Sequence, residues 1–591
     1  MEHLEPSLQA PHHGNAFPEQ TFHPPPQQVA GLACASCRKQ KRKCDKSLPA
    51  CGLCQRIGRH CDYSDDTRLP QPSTEDFLSL RQEVAELKNL LSNGVLPTRN
   101  SSSNNSHAGT GSDLSFNHDD GPSNVLAAAL QQPQWPGPSS FPSLFFLDSS
   151  AFEYERFQIQ APHIRVPPGA LTCLGNSAEL RAMIENYFAT VHTSFPTISK
   201  IRLYQHLSNP LHEPGADIAL LFLAMKLAST SIPEGMPPQT QLYQDVKSFY
   251  SYIESSNGFS IQLIQALLLV SLYEIGHAIY PAAYLSTGNA ARLGHAMGLH
   301  ARDVPHMLPR CTTWTEQEER RRVWWGVIIL DRFVNIGHRG KPFASAEPSL
   351  DMHLPTDDAA WDRGQMLVAA PLALSASETI KAAPFARTCQ AAHLLGKVIR
   401  HLNDTTLPPE YRFEEALQLH RTLRALALIL ASEAEDDDPA LRPTLCTSMA
   451  IAYSALLTLY DAYSCTERAL PNAPETQLQM QKESIEGIAY ICESVLHLAR
   501  RMRGFVDHAG LNRVSPLTID ALYQAAASYA WYVRETSDPT YAEKLAEMKE
   551  VLGLCDRRWR VAGQCIFHVQ EYWERGGVGG TGSAGGGAAR C

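Results

Sequence analysis

The sequence predicts a mainly α-helical protein made of a small two-zinc, six-cysteine module, a short coiled coil, a disordered linker and a large all-α body. Three observations lead there. Beyond position 165 apolar residues recur at steps of three and four, sustained period-two alternation is scarce, and six early cysteines repeat one metal-ligand spacing. The predicted divisions are a disordered tail over 1–30, the cysteine module over 31–64, a linker and coiled-coil helix over 65–94, a disordered linker over 95–164, the helical body over 165–575 and a flexible Gly-rich tail over 576–591.

The tail, with Pro24-Pro25-Pro26 and Gln27-Gln28, is too polar to order itself. After it, Cys34, Cys37, Cys44, Cys51, Cys54 and Cys61 fall into two copies of Cys-x2-Cys-x6-Cys. Tetrahedral zinc takes four thiolates. One ion would leave two cysteines idle, whereas two Zn2+ present eight ligand positions to six sulfurs and force two sulfurs to bridge. Cys34 and Cys51 open the half-repeats in equivalent places and are the expected bridges. One ion would then take Cys34, Cys37, Cys44 and Cys51, and the other Cys34, Cys51, Cys54 and Cys61.

The repeat is symmetric in sulfur but not in charge. Five of the six residues in the first long gap, Arg38-Lys39-Gln40-Lys41-Arg42-Lys43, are basic, while the second, Gln55 to His60, holds only Arg56 and Arg59 as permanent cations. From Gly31 to Tyr63, eight Lys and Arg face Asp45 and Asp62, a formal +6, in a chain whose total is −10. Two zinc ions and six thiolates leave the module at about +4. A cationic head on an acidic body suits a protein whose head alone meets nucleic acid by counterion release.

Other uses of the cysteines explain less. A secreted disulfide framework needs a leader, and Met1 to Ala10 has neither a basic stretch nor an apolar one. A zinc store accounts for the thiols but not for the basic run. A nuclear import signal at Lys39 to Lys43 is compatible with DNA binding by the same surface. The nine later cysteines show no Cys-x2-Cys pairing and read mostly as small buried hydrophobes.

Phe77, Leu80, Val84, Leu87 and Leu91 alternate steps of three and four, the seam of a short coiled coil, with Thr74 as N-cap and Gly94 as stop. The alternative is an amphipathic helix docked on its own chain. From Val95 the composition turns to Ser, Asn, Gly and Pro, the mark of a tether. Its end, Leu144-Phe145-Phe146-Leu147-Asp148 and Phe152-Glu153-Tyr154-Glu155, mixes aromatics with acids, as an activation segment or a docking strap would.

In the body, Asn176 and Glu179 form a capping box before Leu180, Met183, Ile184, Tyr187, Phe188 and Val191. Thr315 and Glu318 form a second before Val323, Trp324, Val327, Ile328, Leu330 and Val334. Ser515-Pro516 supplies a cap and first-turn proline for Leu517 to Arg534. No uninterrupted apolar run reaches eighteen residues, so no membrane span is expected.

Enzyme motifs fail on spacing. The acids Glu433, Glu435, Asp436, Asp437 and Asp438 lack the Asp three residues further on that a magnesium-binding prenyl-diphosphate site needs, and Pro439 breaks the helix. His295 and His300 are five apart, unsuited to sharing zinc on one helix face, and no nucleophile elbow or phosphate loop occurs. The run Glu318-Glu319-Arg320-Arg321-Arg322 could be a second nucleic-acid patch, but its i,i+3 and i,i+4 acid–base pairs read better as internal ion pairing.

The stretch Cys34-Ala-Ser-Cys-Arg-Lys-Gln-Lys-Arg-Lys-Cys44, with Pro49 before Cys51, resembles the fungal zinc binuclear cluster (Zn2Cys6) transcription factors. The resemblance implies a short helix in the major groove, with Lys41, four residues past the second cysteine, reading a CGG triplet. Arg38, Lys39, Arg42, Lys43 and Lys46 would then grip phosphates. The chain departs from the family at Gln40, where a basic residue is usual. The body resembles the fungal-specific transcription factor domain, or middle homology region. The likeness rests on Tyr187-Phe188 to Ser194-Phe195-Pro196, Gly288 to His300, Glu318 to Trp325 with Leu330-Asp331-Arg332, Gly340-Lys341-Pro342 and Leu354-Pro355.

Together these resemblances imply a nuclear regulator of RNA polymerase II transcription, not an enzyme. It would bind promoter DNA as a homodimer, act on the transcription machinery and answer to a small-molecule effector. Such chains often activate secondary-metabolite gene clusters, or alternatively control nutrient and carbon use or repress.

Overall fold

Asn176 caps helix Ser177–Ala189 as its sequence predicts. The N–H groups of Ala178 and Glu179 donate to Asn176 Oδ1 at 2.9 and 3.0 Å, and Asn176 N–H donates back to Glu179 Oε2 at 2.8 Å. The second box is shifted. Helix Trp314–Phe333 starts earlier than expected, and Thr313, not Thr315, accepts from Glu316 N–H at 3.2 Å. Two Thr-x-x-Glu registers overlap there; Glu318 is buried in an ion network and cannot serve the helix end. Ser515 Oγ accepts from Leu517 N–H, and a 3-10 turn at Pro516–Thr518 leads into helix Ile519–Thr536.

The computed structural model describes residues 30, 33–39, 42–63 and 142–574, apart from 155–158, 160, 209–214, 302–305, 338–339, 367–370, 378–379, 405, 407, 436–441, 466–473 and 537. The chain separates into two compact units, Met1–Asp119 and Asp120–Cys591. The expected coiled-coil seam, Phe77, Leu80, Val84, Leu87 and Leu91, lies outside the described residues, as do the acidic run from Asp436 to Asp438, residues 1–29 of the N-terminal tail and the C-terminal tail.

In the second unit, helices Ala216–Ser229 and Ile261–Gly276 form one centre, with Ala282–Ala296 against the latter. Nearly every residue of Ile261–Gly276 is buried, the behaviour of a helix that is apolar all round. A second centre is helix Arg442–Tyr463, packed between Pro384–Asn403 and Glu475–Ala509. Helix Trp314–Phe333 touches Ile261–Gly276, Ala282–Ala296 and Pro384–Asn403 and so joins the two centres. No sheet forms among the described residues; His353 and Ala373 make an isolated antiparallel bridge.

The segment Thr444–Tyr463 is long and apolar enough to cross a membrane, yet 83% of its apolar window is buried inside the body. Polar residues interrupt its apolar run and bond internally, as where the Ser448 and Thr388 hydroxyls meet at 2.8 Å. Residues 142–154, placed in the disordered linker, instead form helices Leu144–Leu147 and Ser149–Tyr154. Phe145 and Phe152 meet edge to face at 5.2 Å and are buried in the main core. Their burial supports the docking strap of the two readings that the aromatics offered.

The acid–base run is interior. Glu318 Oε1 accepts from Arg322 Nε at 2.9 Å and Thr356 N–H at 2.8 Å, while Arg322 Nη1 donates to Asp358 at 2.7 Å. The Arg322 guanidinium lies 4.1 Å over the Trp361 ring. Glu319 takes Arg202, Gln265 and the Ser199 N–H. These groups orient the joining helix and offer no patch for phosphate.

Candidate metal centre and nucleic-acid interface

The two half-repeats of the N-terminal module fold alike. Each opens on a cysteine that precedes a short helix carrying the next: Cys34 before Ala35–Lys39, which holds Cys37, and Cys51 before Gly52–Arg56, which holds Cys54. Cys51 Sγ accepts from Cys54 N–H at 3.4 Å and caps the second helix. The Asp45 carboxylate accepts from Gly52 N–H at 2.9 Å, and a Cβ on Gly52 would stand 2.7 Å from that carboxylate. Asp45 was missed as a site residue in the sequence; only its position seven residues before Gly52, across the turn, gives it this role.

The module closes on itself through Ala35 N–H to the Asp62 carbonyl at 2.8 Å and the Ser36 hydroxyl to the His60 carbonyl at 3.1 Å. Tyr63 donates to the Ser47 carbonyl at 3.0 Å. Inside, Cys34, Cys37, Cys51 and Cys54 are fully buried. Cys34 Sγ is 3.8 Å from Cys51 and 3.7 Å from Cys54, and Cys37 Sγ is 3.7 Å from Cys51 and 3.9 Å from Cys54. Zinc–sulfur bonds of about 2.3 Å in a tetrahedron require sulfurs roughly 3.8 Å apart. The thiols fit zinc.

Cys44 and Cys61 are half-buried around this quartet. Cys44 Sγ lies 3.8 Å from the Tyr63 hydroxyl and groups with Cys51 and the Asp45 carboxylate, and Cys61 Sγ accepts from Cys51 N–H at 3.2 Å. The quartet contains both expected bridges but pairs them with Cys37 and Cys54, a combination different from either expected four-ligand set. The bond from Arg59 Nη2 holds the Cys54 thiol down to about 7, while burial pushes Cys37 up to about 11 and Cys34 higher still. Zinc takes thiolates, so its binding releases the protons that the buried thiols otherwise keep.

Of the expected DNA contacts, Arg42 and Lys43 are exposed and Lys46 is half-buried, its backbone in the left-handed region at φ 61°. Arg38 and Lys39 stand on helix Ala35–Lys39. Lys41 falls outside the described residues.

A small cysteine-zinc module with a basic gap, in a chain whose bulk is a helical body, defines a zinc-dependent regulator of the DNA-binding class. Residues 32–70 match the fungal Zn(2)-Cys(6) binuclear cluster domain, and residues 184–368 match the fungal specific transcription factor domain. The chain is 35% identical over 178 residues, 30% of its own length and 98% of the relative's, to transcription factor BOA15 of Botryotinia fuckeliana. It is 25% identical over 389 residues, 63% of this chain and 73% of the relative, to the citrinin biosynthesis transcriptional activator mrl3 of Monascus ruber. It is 23% identical over 511 residues, 82% of this chain and 96% of the relative, to the azaphilone cluster-specific transcription factor azaR of Aspergillus niger. The chain belongs to the fungal Zn2Cys6 transcription factors, which are regulators rather than enzymes.

Proposed function

We propose that this protein is a nuclear, sequence-specific activator of RNA polymerase II transcription that binds paired CGG-type half-sites as a homodimer and controls a secondary-metabolite gene cluster. The observation that carries the DNA-binding part is the buried thiol quartet with Arg42 and Lys43 exposed on the loop beside it. In this reading two Zn2+ share Cys34 and Cys51, Lys41 reads a base edge, and Arg38, Lys39, Arg42, Lys43 and Lys46 hold phosphates. The seam Phe77, Leu80, Val84, Leu87 and Leu91 pairs two copies, and the linker between module and seam sets the half-site spacing.

The pathway class is supported by the relatives, whose names tie them to citrinin and azaphilone clusters, and these favour secondary metabolism over nutrient use. Lys41→Ala tests the base-reading assignment. Affinity for the preferred triplet falls by about 1–3 kcal/mol while affinity for random duplex falls far less. Equal losses on both would remove Lys41 from that role.

A further inference from the structure

Helix Ile261–Gly276 ends at a cavity of about 610 Å3 lined by Met236, Pro238, His277, Asp556, Arg560 and Phe567, among others. Its polar wall is unfinished. His277 is 2% exposed, and neither ring nitrogen has a hydrogen-bond partner. A neutral imidazole always carries one N–H to donate. The next residue, Ala278, takes a left-handed φ of 56° that closes the helix, with Ile279 N–H donating to the Glu274 carbonyl at 2.9 Å, and this turn sets His277 at the cavity.

Behind His277 lies a second unfinished group. Arg558 is 1% exposed; its Nη2 donates to the Ala228 carbonyl, but Nε and Nη1 have no partner and no described carboxylate pairs with it. Its guanidinium lies 3.8 Å over the Trp559 ring, whose centroid is 5.3 Å from that of His277. Burial draws Arg558 down to about 10, and burial together with Arg558 and Arg560 draws His277 down to about 3. By contrast Arg560 is satisfied, bonded to the Pro233 and Asp556 carbonyls and 3.6 Å from the Asp556 carboxylate.

We propose that this cavity binds a monocarboxylate with an apolar body, its carboxylate accepting from His277 and countering the charge of Arg558. One uncompensated cation calls for one negative charge. Met236 and Phe567, 55% and 57% exposed, together with Pro238, supply an apolar mouth for the rest of the ligand. A buried cation with no acid beside it costs stability, and a carboxylate held at His277 counters that charge from the cavity side, although Arg558 itself does not line the cavity.

The test uses the full-length zinc-loaded protein and follows the thermal midpoint of its helical signal with benzoate, octanoate or inorganic phosphate at matched ionic strength. Benzoate or octanoate should raise the midpoint saturably, and phosphate should not. Arg558→Met should abolish the shift. Met236→Trp, at the exposed mouth, should keep the wild-type midpoint and weaken carboxylate binding by about tenfold. Absence of a saturable shift with both acids, as for a cavity that holds only water, overturns the proposal, and so does an equal or larger phosphate shift. Retention of the shift in Arg558→Met overturns it too; if that variant does not fold, unchanged affinity in Met236→Trp does so.

Discussion

Arg320 and Arg322 are two positions apart on one helix, yet they stand in different environments. Arg320 is partly exposed and pairs with Glu316 at 2.7 Å, whereas Arg322 is fully buried between Glu318, Asp358 and Trp361. Arg322→Met leaves Glu318 with only Arg321 as a cation and takes the guanidinium from half-buried Asp358; it should cost about 3–5 kcal/mol in chemical denaturation, against about 1 kcal/mol or less for Arg320→Met. Equal losses would contradict the buried network. The i,i+4 pairing to Glu318 was legible in the sequence, but Asp358 and Trp361 were not, since helical period reports only neighbours on the same helix. His277 gives a pH dependence. Its folded pKa, depressed to about 3, lies below an unfolded value of about 6.5, so the unfolded chain binds the extra proton between them. Stability present above pH 6.5 is lost as pH falls through that window, and His277→Asn should flatten this part of a pH–denaturation profile. An unchanged slope would mean that His277 does not titrate differently on folding.

Among elements, glycines give the sharpest contrast between propensity and packing. Gly487 lies within helix Glu475–Ala509, where Ala is favoured by about 1 kcal/mol on propensity alone. A Cβ there would stand 2.5 Å from the Tyr460 ring of the neighbouring helix. Gly487→Ala should therefore destabilise by about 1–3 kcal/mol in denaturant unfolding, and a gain in stability would refute the close approach. The boundaries of helices were readable where a side chain caps the backbone, as at Asn176, and slipped by two residues where Thr313 and Thr315 offered the same pattern. The strap over 142–154 was legible as one of two readings from its aromatics, while the polar composition around Phe145 and Phe152 put it inside the predicted linker. For the proposed seam, Leu80→Glu with Leu87→Glu should lower affinity for paired half-sites in a mobility-shift titration and spare a single half-site. Unchanged paired-site binding would refute the seam.

For the whole molecule, the division of charge matters more than its sum. A net −10 conceals a basic module, and the thiol quartet that builds it is held by metal rather than by a hydrophobic core. Cys34, Cys37, Cys51 and Cys54, which the structure brings together, were legible as candidate ligands because metal spacing is local in sequence, but their grouping into one quartet was not. The Asp45 cap on Gly52 and the closure by Ser36 and Tyr63 were not, since they depend on how the chain turns between half-repeats. The most direct measurement is selection of random duplex DNA by the full-length protein, with zinc present and with zinc removed by a chelator. Paired CGG triplets at one fixed spacing should be enriched, and the enrichment should be lost on chelation. Enrichment that survives chelation, or no enriched sequence from zinc-loaded protein, would contradict it.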